Sequence, residues 1–126
     1  MNRMREAIKK AALSPAHMAE GAGTQSFRFD EDFLGFAGHF PGYPILPAVL
    51  QTLMAQLLAE QVVGLPLQFL SLERAKFTHQ LRPGDQIDVN VSCLEKEGQL
   101  HCTCKLLVEN RNAASFTLLF DKGSRL

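Results

Sequence analysis

The feature that most limits the fold of this chain is one long apolar segment, AVLQTLMAQLLAEQVV, between Pro47 and Gly64. Proline at the start of a helix and glycine just beyond its end are the usual helix boundaries, because proline lacks the N–H that the first turn leaves unpaired and glycine tolerates a left-handed conformation. Few polar side chains interrupt the segment. We therefore predict a helix over 47–62 that is almost wholly buried.

Everything after this helix has the pattern of strands. We predict strands over about 67–79, 85–95, 99–109 and 112–121, and the last three are separated by the short polar turns EKEGQ and NRN. Before the helix, Phe27 and Phe29 of TQSFRFD alternate with polar residues, as in a half-buried strand. A buried helix followed by an antiparallel meander predicts an α+β fold in which a sheet wraps the helix.

The N-terminal part has a different character. Residues 2–13 are good helix formers with an apolar stripe, and Ser14-Pro15 then discourages continuation. The Gly-rich segment HMAEGAGT that follows is typical of a connection. We divide the chain into a helix and connection over 1–22 and a single domain over 23–126, since 126 residues support one core and not two.

Composition excludes several classes of function. Thirteen basic residues balance thirteen acidic ones, which leaves no net field to hold nucleic acid or an anionic membrane. No stretch of eighteen apolar residues occurs, so a cytoplasmic protein is expected. Cys102 and Cys104 share one face of a strand and His101 lies on the other, which predicts buried thiols and neither a metal site nor another cofactor.

The segment between the first strand and the helix is rich in Gly, Pro and Phe, and it contains GHFPGYPILPAV. His39 precedes the helix N-terminus, where unpaired backbone N–H groups and the positive end of the helix dipole are found. Such N–H groups polarise a carbonyl while an imidazole exchanges a proton with the neighbouring carbon. This pattern indicates chemistry alpha to a thioester carbonyl.

GHFPGYPILPAV resembles the HFPG-x-P-x-x-PG-V segment of the bacterial 3-hydroxyacyl-ACP dehydratases, and the likeness is nearly unbroken across a dozen residues. A weaker resemblance to the same family lies at Ala75-Lys76-Phe77 and Arg82-Pro83-Gly84-Asp85. The resemblance implies a hotdog fold, a homodimer or higher homo-oligomer with composite sites, and a substrate tunnel along the helix. It also implies an acyl thioester substrate, on acyl carrier protein or coenzyme A, and a place in fatty-acid or related acyl-chain metabolism.

The resemblance also assigns site residues. His39 corresponds to the family's catalytic base, and the backbone N–H of Ala48, where the family has glycine, corresponds to the donor to the thioester oxygen. We expect Gly42 and Tyr43 to line the substrate pocket and Gln51 and Gln56 to orient substrate or water. The family's acid is a Glu or Asp on the helix, which acts across the dimer interface.

This chain departs from the family at that acid. Counting from His39 without a gap places the acid at Leu53, and matching Met54-Ala55-Gln56 to the family's MAQ places it at Thr52. Glu60 is the only acid on the helix and lies about two turns further along, at ~1.5 Å per residue.

Three functions therefore stay open: a dehydratase-type lyase with weak activity, an acyl-thioesterase, and a non-catalytic acyl-binding subunit of a hetero-oligomer. The fold by itself does not choose among them.

Overall fold

The computed structural model describes residues 2–36 and 44–121. Its two α-helices are α1 (Asn2–Lys10) and α2 (Ala48–Val63), and a short 3-10 helix covers Leu34–Phe36. Six strands complete the fold: β1 (His17–Ala19), β2 (Ala22–Arg28), β3 (Gln68–Phe77), β4 (Gln86–Lys96), β5 (Gln99–Val108) and β6 (Arg111–Asp121). The bounds of helix α2 and of strands β3 to β6 lie within two residues of the predicted ones.

The strands form one antiparallel sheet in the order β1-β2-β4-β5-β6-β3. The hairpin between β5 and β6 turns at Glu109 and Asn110, which both have positive φ, at 53° and 65°. Consecutive positive φ values are those of a type I′ turn, whose twist matches that of the flanking strands. The predicted meander is thus confirmed for β4, β5 and β6, whereas β3 lies beside β6 and not beside β4.

Helix α2 lies across the inner face of the sheet and packs mainly against β2 and β4. Gly23 of β2 permits this approach, because a Cβ there would stand 2.7 Å from Cγ2 of Val62. The helix ends at Gly64, which has φ 80° and donates its backbone N–H to the Glu60 carbonyl at 2.8 Å. Glycine takes this left-handed conformation at little steric cost, which explains the boundary read from the sequence.

Burial along α2 is uneven, and the prediction of an almost wholly buried helix was wrong at its N-terminal end. Met54, Leu58 and Ala59 are completely buried, whereas the Val49 side chain is 69% exposed. Because α2 sits over the β2–β4 half of the sheet, its first turns project beyond the core of the single chain. An apolar residue so exposed at the start of a helix indicates a surface that something else covers.

The N-terminal part of the chain differs from the sequence prediction in two places. Helix α1 ends at Lys10, three residues earlier than predicted, and its Ile8 is buried in the main core. Within the segment read as a connection, residues His17–Ala19 form β1 and pair with β2. Periodicity missed β1 because three exposed residues are too few to show an alternation.

Aromatic residues before α2 pack against one another. Phe29 and Phe33 have ring centroids 4.2 Å apart, and Phe33 meets Phe36 edge to face at 5.4 Å. This cluster anchors the chain as it leaves β2. In the described part of the chain, no helix is long and apolar enough to cross a membrane.

Candidate functional site

An apolar groove of about 660 Å³ runs beside the first two turns of α2. Helix α2 forms one wall, the edge of the sheet forms the other, and α1 closes one end. The lining residues are Ala48, Val49, Leu50, Thr52, Leu53 and Gln56 of α2, Phe69 and Leu72 of β3, Leu118 of β6 and Met4 of α1. None of these side chains is ionisable, so the groove suits an acyl chain or a second apolar surface.

The N-terminus of α2 opens at this groove. Pro47 is the N-cap with extended backbone (φ −66°, ψ 153°), and no side chain of the described residues caps the helix. Its carbonyl accepts hydrogen bonds from the N–H groups of Leu50 and Gln51 at 3.0 and 3.1 Å. Among the described residues, nothing accepts a hydrogen bond from the Ala48 amide, which is left as a donor beside the positive end of the helix dipole.

The chain that enters the helix is held in place from two sides. Leu46 donates its N–H to the Leu81 carbonyl at 2.8 Å, and its own carbonyl accepts from Nε2 of Gln51 at 3.1 Å. Gln51 is only 4% exposed, and within the described residues its Oε1 has no hydrogen-bond partner. An unpaired buried amide oxygen is uncommon in folded proteins, which makes Gln51 a candidate to bind a ligand.

Gln56 lies at the inner end of the groove, but its amide is already engaged. Nε2 donates to Oε2 of Glu60 and to the Leu67 carbonyl, both at 3.0 Å. The sequence assigned Gln56 to substrate, and that role stays a prediction. The observed contacts instead tie α2 to the start of β3.

Glu60 takes part in the same contacts between α2 and the start of β3. We call Glu60 and its partners Arg5, Gln56 and Leu67 the clamp. Oε1 accepts from Nη1 of Arg5 at 2.9 Å, and Oε2 also accepts the Leu67 amide at 3.1 Å. Burial raises the pKa of Glu60, but the hydrogen bonds from Arg5, Gln56 and Leu67 outweigh it, so the pKa lies below its usual value. A carboxylate held ionised by three donors is a poor proton donor, and Glu60 is not among the residues that line the groove.

Both positions that the sequence offered for the missing acid do line the groove. Leu53 is half-buried there, and Thr52 uses its hydroxyl to donate to the Val49 carbonyl at 2.9 Å. The choice of alignment therefore does not alter the outcome. Whichever residue corresponds to the family's acid, the groove wall carries no carboxylate there.

The remaining predicted site residues, His39, Gly42 and Tyr43, lie outside the described residues, and their roles stay predictions. Sequence reasoning missed the four groove residues contributed by α1 and the sheet, namely Met4, Phe69, Leu72 and Leu118. The pairing of β3 with β6 has register shifts between Phe69 and Ser71 and between Glu73 and Lys76, which break the period-two pattern of the strand. In the sequence, the run of apolar residues in β3 was the only sign that this strand contributes to a site.

Comparison with known proteins decides the family. The model of the ApeI-like family, described as ApeI dehydratase, matches residues 17–117. The chain belongs to this family. The likeness to dehydratases read from GHFPGYPILPAV is thereby confirmed.

Relatives of the ApeI-like chain include two proteins named 3-hydroxyacyl-(acyl-carrier-protein) dehydratase FabZ. The protein from Syntrophobacter fumaroxidans is 32% identical over 114 residues, which cover 83% of this chain and 76% of the relative. The protein from Thermotoga neapolitana is 40% identical over 91 residues, which cover 67% of this chain and 65% of the relative.

Solved structures share the fold. The dehydratase heterocomplex ApeI:P from Xenorhabdus doucetiae superposes with a TM-score of 0.74 at 23% identity, over 88% of this chain and 96% of that one. A hypothetical thioesterase with coenzyme A from Streptococcus pneumoniae gives 0.69 at 10% identity, over 95% and 94% of the two chains. These similarities confirm the hotdog fold predicted from the sequence.

Proposed function

We propose that this chain is a subunit of a dehydratase that removes water from 3-hydroxyacyl thioesters in fatty-acid or related acyl-chain metabolism. The observation that carries the proposal is the apolar groove that begins at the open N-terminus of α2, in a chain of the ApeI-like family. The acyl chain lies along the groove, and the Ala48 N–H donates to the thioester oxygen. Acyl carrier protein or coenzyme A presents the substrate.

His39 is the proposed general base, and its assignment rests on the sequence motif. In this reaction it removes the proton alpha to the thioester carbonyl while the oxygen gains negative charge. The Ala48 N–H and the helix dipole stabilise that charge, which is the term that usually contributes most in such sites. From the motif, Gly42 and Tyr43 are assigned to the substrate pocket, and Gln51, whose Oε1 has no hydrogen-bond partner within the described residues, orients substrate or water.

The leaving hydroxyl still needs a proton donor. Among the described residues that line the groove, none is a carboxylate or any other ionisable group, so we assign weak activity to the homodimer. General acid–base catalysis typically contributes ~10²- to 10⁴-fold per group, and this is the expected deficit in rate. The same gap favours the second candidate, an acyl-binding subunit whose hotdog partner supplies the carboxylate.

The partner docks at the edge of the sheet. Strand β3 pairs only with β6 within the described residues, yet it is ten residues long and exposes Phe69, Leu70, Leu72 and Phe77. A long apolar edge strand is a template for pairing with another chain. A second hotdog chain added there covers Val49 and Phe69 and closes the groove into a tunnel.

A measurement of the dehydration rate tests the proposed chemistry. We expect the purified chain to dehydrate 3-hydroxyacyl thioesters slowly, with formation of the conjugated thioester followed by absorbance, and His39→Ala to abolish the residual rate. Leu53→Glu is expected to raise the rate, because burial among apolar residues keeps a carboxyl protonated and able to donate. Leu53→Gln is the control of matched size that lacks the proton.

Three results contradict this proposal. Wild-type turnover at ordinary enzyme rates would show that the acid is misplaced. A folded but inactive Leu53→Glu protein, with Thr52→Glu inactive as well, would remove the groove as the reaction site. An unchanged residual rate in His39→Ala would argue against the base.

Measurement of self-association tests whether a second chain docks at β3. We expect a dimer at micromolar concentration by sedimentation, and Phe69→Asp to weaken dimerisation by about 10-fold or more, since a charge would be buried at the interface. Leu94→Asp is the matched control, because Leu94 is an equally apolar side chain that is 66% exposed on a different strand. A monomeric wild type, or equal effects of the two variants, would contradict docking through β3.

A further inference from the structure

Two cysteines face each other on neighbouring strands of the sheet, and neither is among the residues that line the groove. Cys93 of β4 and Cys102 of β5 are directly paired in the antiparallel register. Their Sγ atoms lie 2.9 Å apart, and the Cys102 thiol donates to the Cys93 sulfur. Both cysteines are free thiols. The chemistry assigned to the groove uses neither of them.

The two thiols differ in access. Cys102 is completely buried, whereas Cys93 is half-buried and reachable from solvent. The hydrogen bond from Cys102 lowers the pKa of Cys93, against a smaller opposing effect of burial, while the same contact and burial raise the pKa of Cys102. The accessible sulfur is therefore also the one more readily ionised, and the thiolate is the reactive form.

The backbone permits a covalent bond between them. Directly opposite residues in an antiparallel pair have Cα atoms about 4.5 to 5.5 Å apart, within the ~4.4 to 6.8 Å that disulfides span. Cross-strand side chains also point to the same face of the sheet. The strands need not move for the sulfurs to bond.

We propose that Cys93 and Cys102 form a reversible disulfide site that reacts with hydroperoxides, with Cys93 as the attacking thiol and Cys102 as the resolving thiol. The Cys93 thiolate attacks one peroxide oxygen, so that an S–O bond forms and the O–O bond breaks. Sulfur is oxidised by two electrons, and hydrogen peroxide is reduced to water after its leaving hydroxide takes a proton. The Cys102 sulfur then attacks Cys93, the S–S bond forms, and the S–O bond breaks to release a second water with the Cys102 proton.

The bond has a mechanical consequence. It joins β4 to β5 near their common hairpin and closes a short loop, which restricts the unfolded chain. It also protects Cys93 from further oxidation, since a sulfenic acid that finds a thiol at once does not progress to the irreversible acids. Oxidised protein is therefore expected to be the more stable form.

Peptide mapping after peroxide treatment tests the site. The reduced, purified protein is exposed to hydrogen peroxide, its remaining thiols are alkylated, and trypsin cleaves it after Lys96 and Lys105. We expect the peptide over 77–96 to be linked to the peptide over 97–105, and dithiothreitol to separate them. The melting temperature should rise by roughly 5 to 10 °C on oxidation.

The third cysteine provides the control. Cys104 shares the tryptic peptide of Cys102, but its cross-strand partner is Val91. Cys104→Ser should keep the link, and Cys93→Ser should lose it completely. Because Cys93 is half-exposed, the serine variant is expected to fold, as far-UV circular dichroism verifies.

Four outcomes overturn the proposal. They are loss of the link in Cys104→Ser, a link only between two chains, oxidation of Cys93 to a sulfinic acid while Cys102 stays free, and a fall in melting temperature when the bond forms.

Discussion

The two halves of α2 perform opposite tasks although their sequences are similarly apolar. In the C-terminal half, Leu58 is completely buried and Glu60 is bound by Arg5, Gln56 and the Leu67 amide. In the N-terminal half, Val49 is 69% exposed, and the described residues leave the Ala48 amide without an acceptor. The first of these halves is covered within the single chain, and the second is the surface at which we propose that substrate and partner bind.

The difference shows what hydrophobicity by itself does not determine. A helix that is apolar all round must be covered all round, but the sheet of one chain covers only the side over β2 and β4. The exposed remainder and the edge strand β3 form the surface that we propose binds substrate and partner. On this proposal, one half of the helix serves stability and the other serves function.

The test with the largest expected effect replaces one side chain in each half of α2. Leu58→Ala should lower the free energy of unfolding by about 2 to 5 kcal/mol, because it leaves a cavity in a packed core. Val49→Ala should change it by no more than about 0.5 kcal/mol in the monomer. Chemical denaturation at fixed protein concentration measures both. Equal losses would erase the distinction between the halves.

A second test uses two glycines that pack beneath the helix. A Cβ at Gly35 would collide with Leu50 and Phe33, whereas at Gly23 it would meet chiefly one methyl group of Val62. Gly35→Ala should therefore cost about 1 to 3 kcal/mol by overpacking and disturb acyl binding at the nearby groove. Gly23→Ala should cost less and leave binding intact. Binding lost in Gly23→Ala alone would contradict the placement of the site.

The smallest effect concerns the charged clamp. Glu60→Gln should lower the free energy of unfolding by about 1 kcal/mol, given that Arg5 is partly exposed. Glu6→Gln, which removes the exposed pair with Lys9 at 3.8 Å, should cost about 0 to 0.5 kcal/mol.

The clamp also predicts a pH dependence. Since the folded pKa of Glu60 lies below its unfolded value, its contribution is present above the unfolded pKa and is lost as the pH falls through the folded pKa. The stability gap between wild type and Glu60→Gln should close in acid. A gap that persists below the folded pKa, or one that widens, would mean that the carboxylate is not what holds the clamp.

Many of the secondary-structure elements and the family were predictable from the sequence alone. Pro47 and Gly64 bound a helix through local sterics, and the short polar turns and alternating apolar residues defined β4, β5 and β6. The motif GHFPGYPILPAV indicated the family because the nearly unbroken likeness is local in sequence. The absence of an acid at Thr52 and Leu53 is also evident from the sequence alone.

Only the tertiary structure decided what covers each surface. It brought Arg5 to Glu60 from 55 residues away, set Cys93 opposite Cys102, and left Phe69 and Val49 exposed at one groove. The physical reason is that periodicity reports which face of an element is apolar, whereas its neighbour depends on register, bulges and the position of the helix over the sheet. Those are set by contacts between distant parts of the chain.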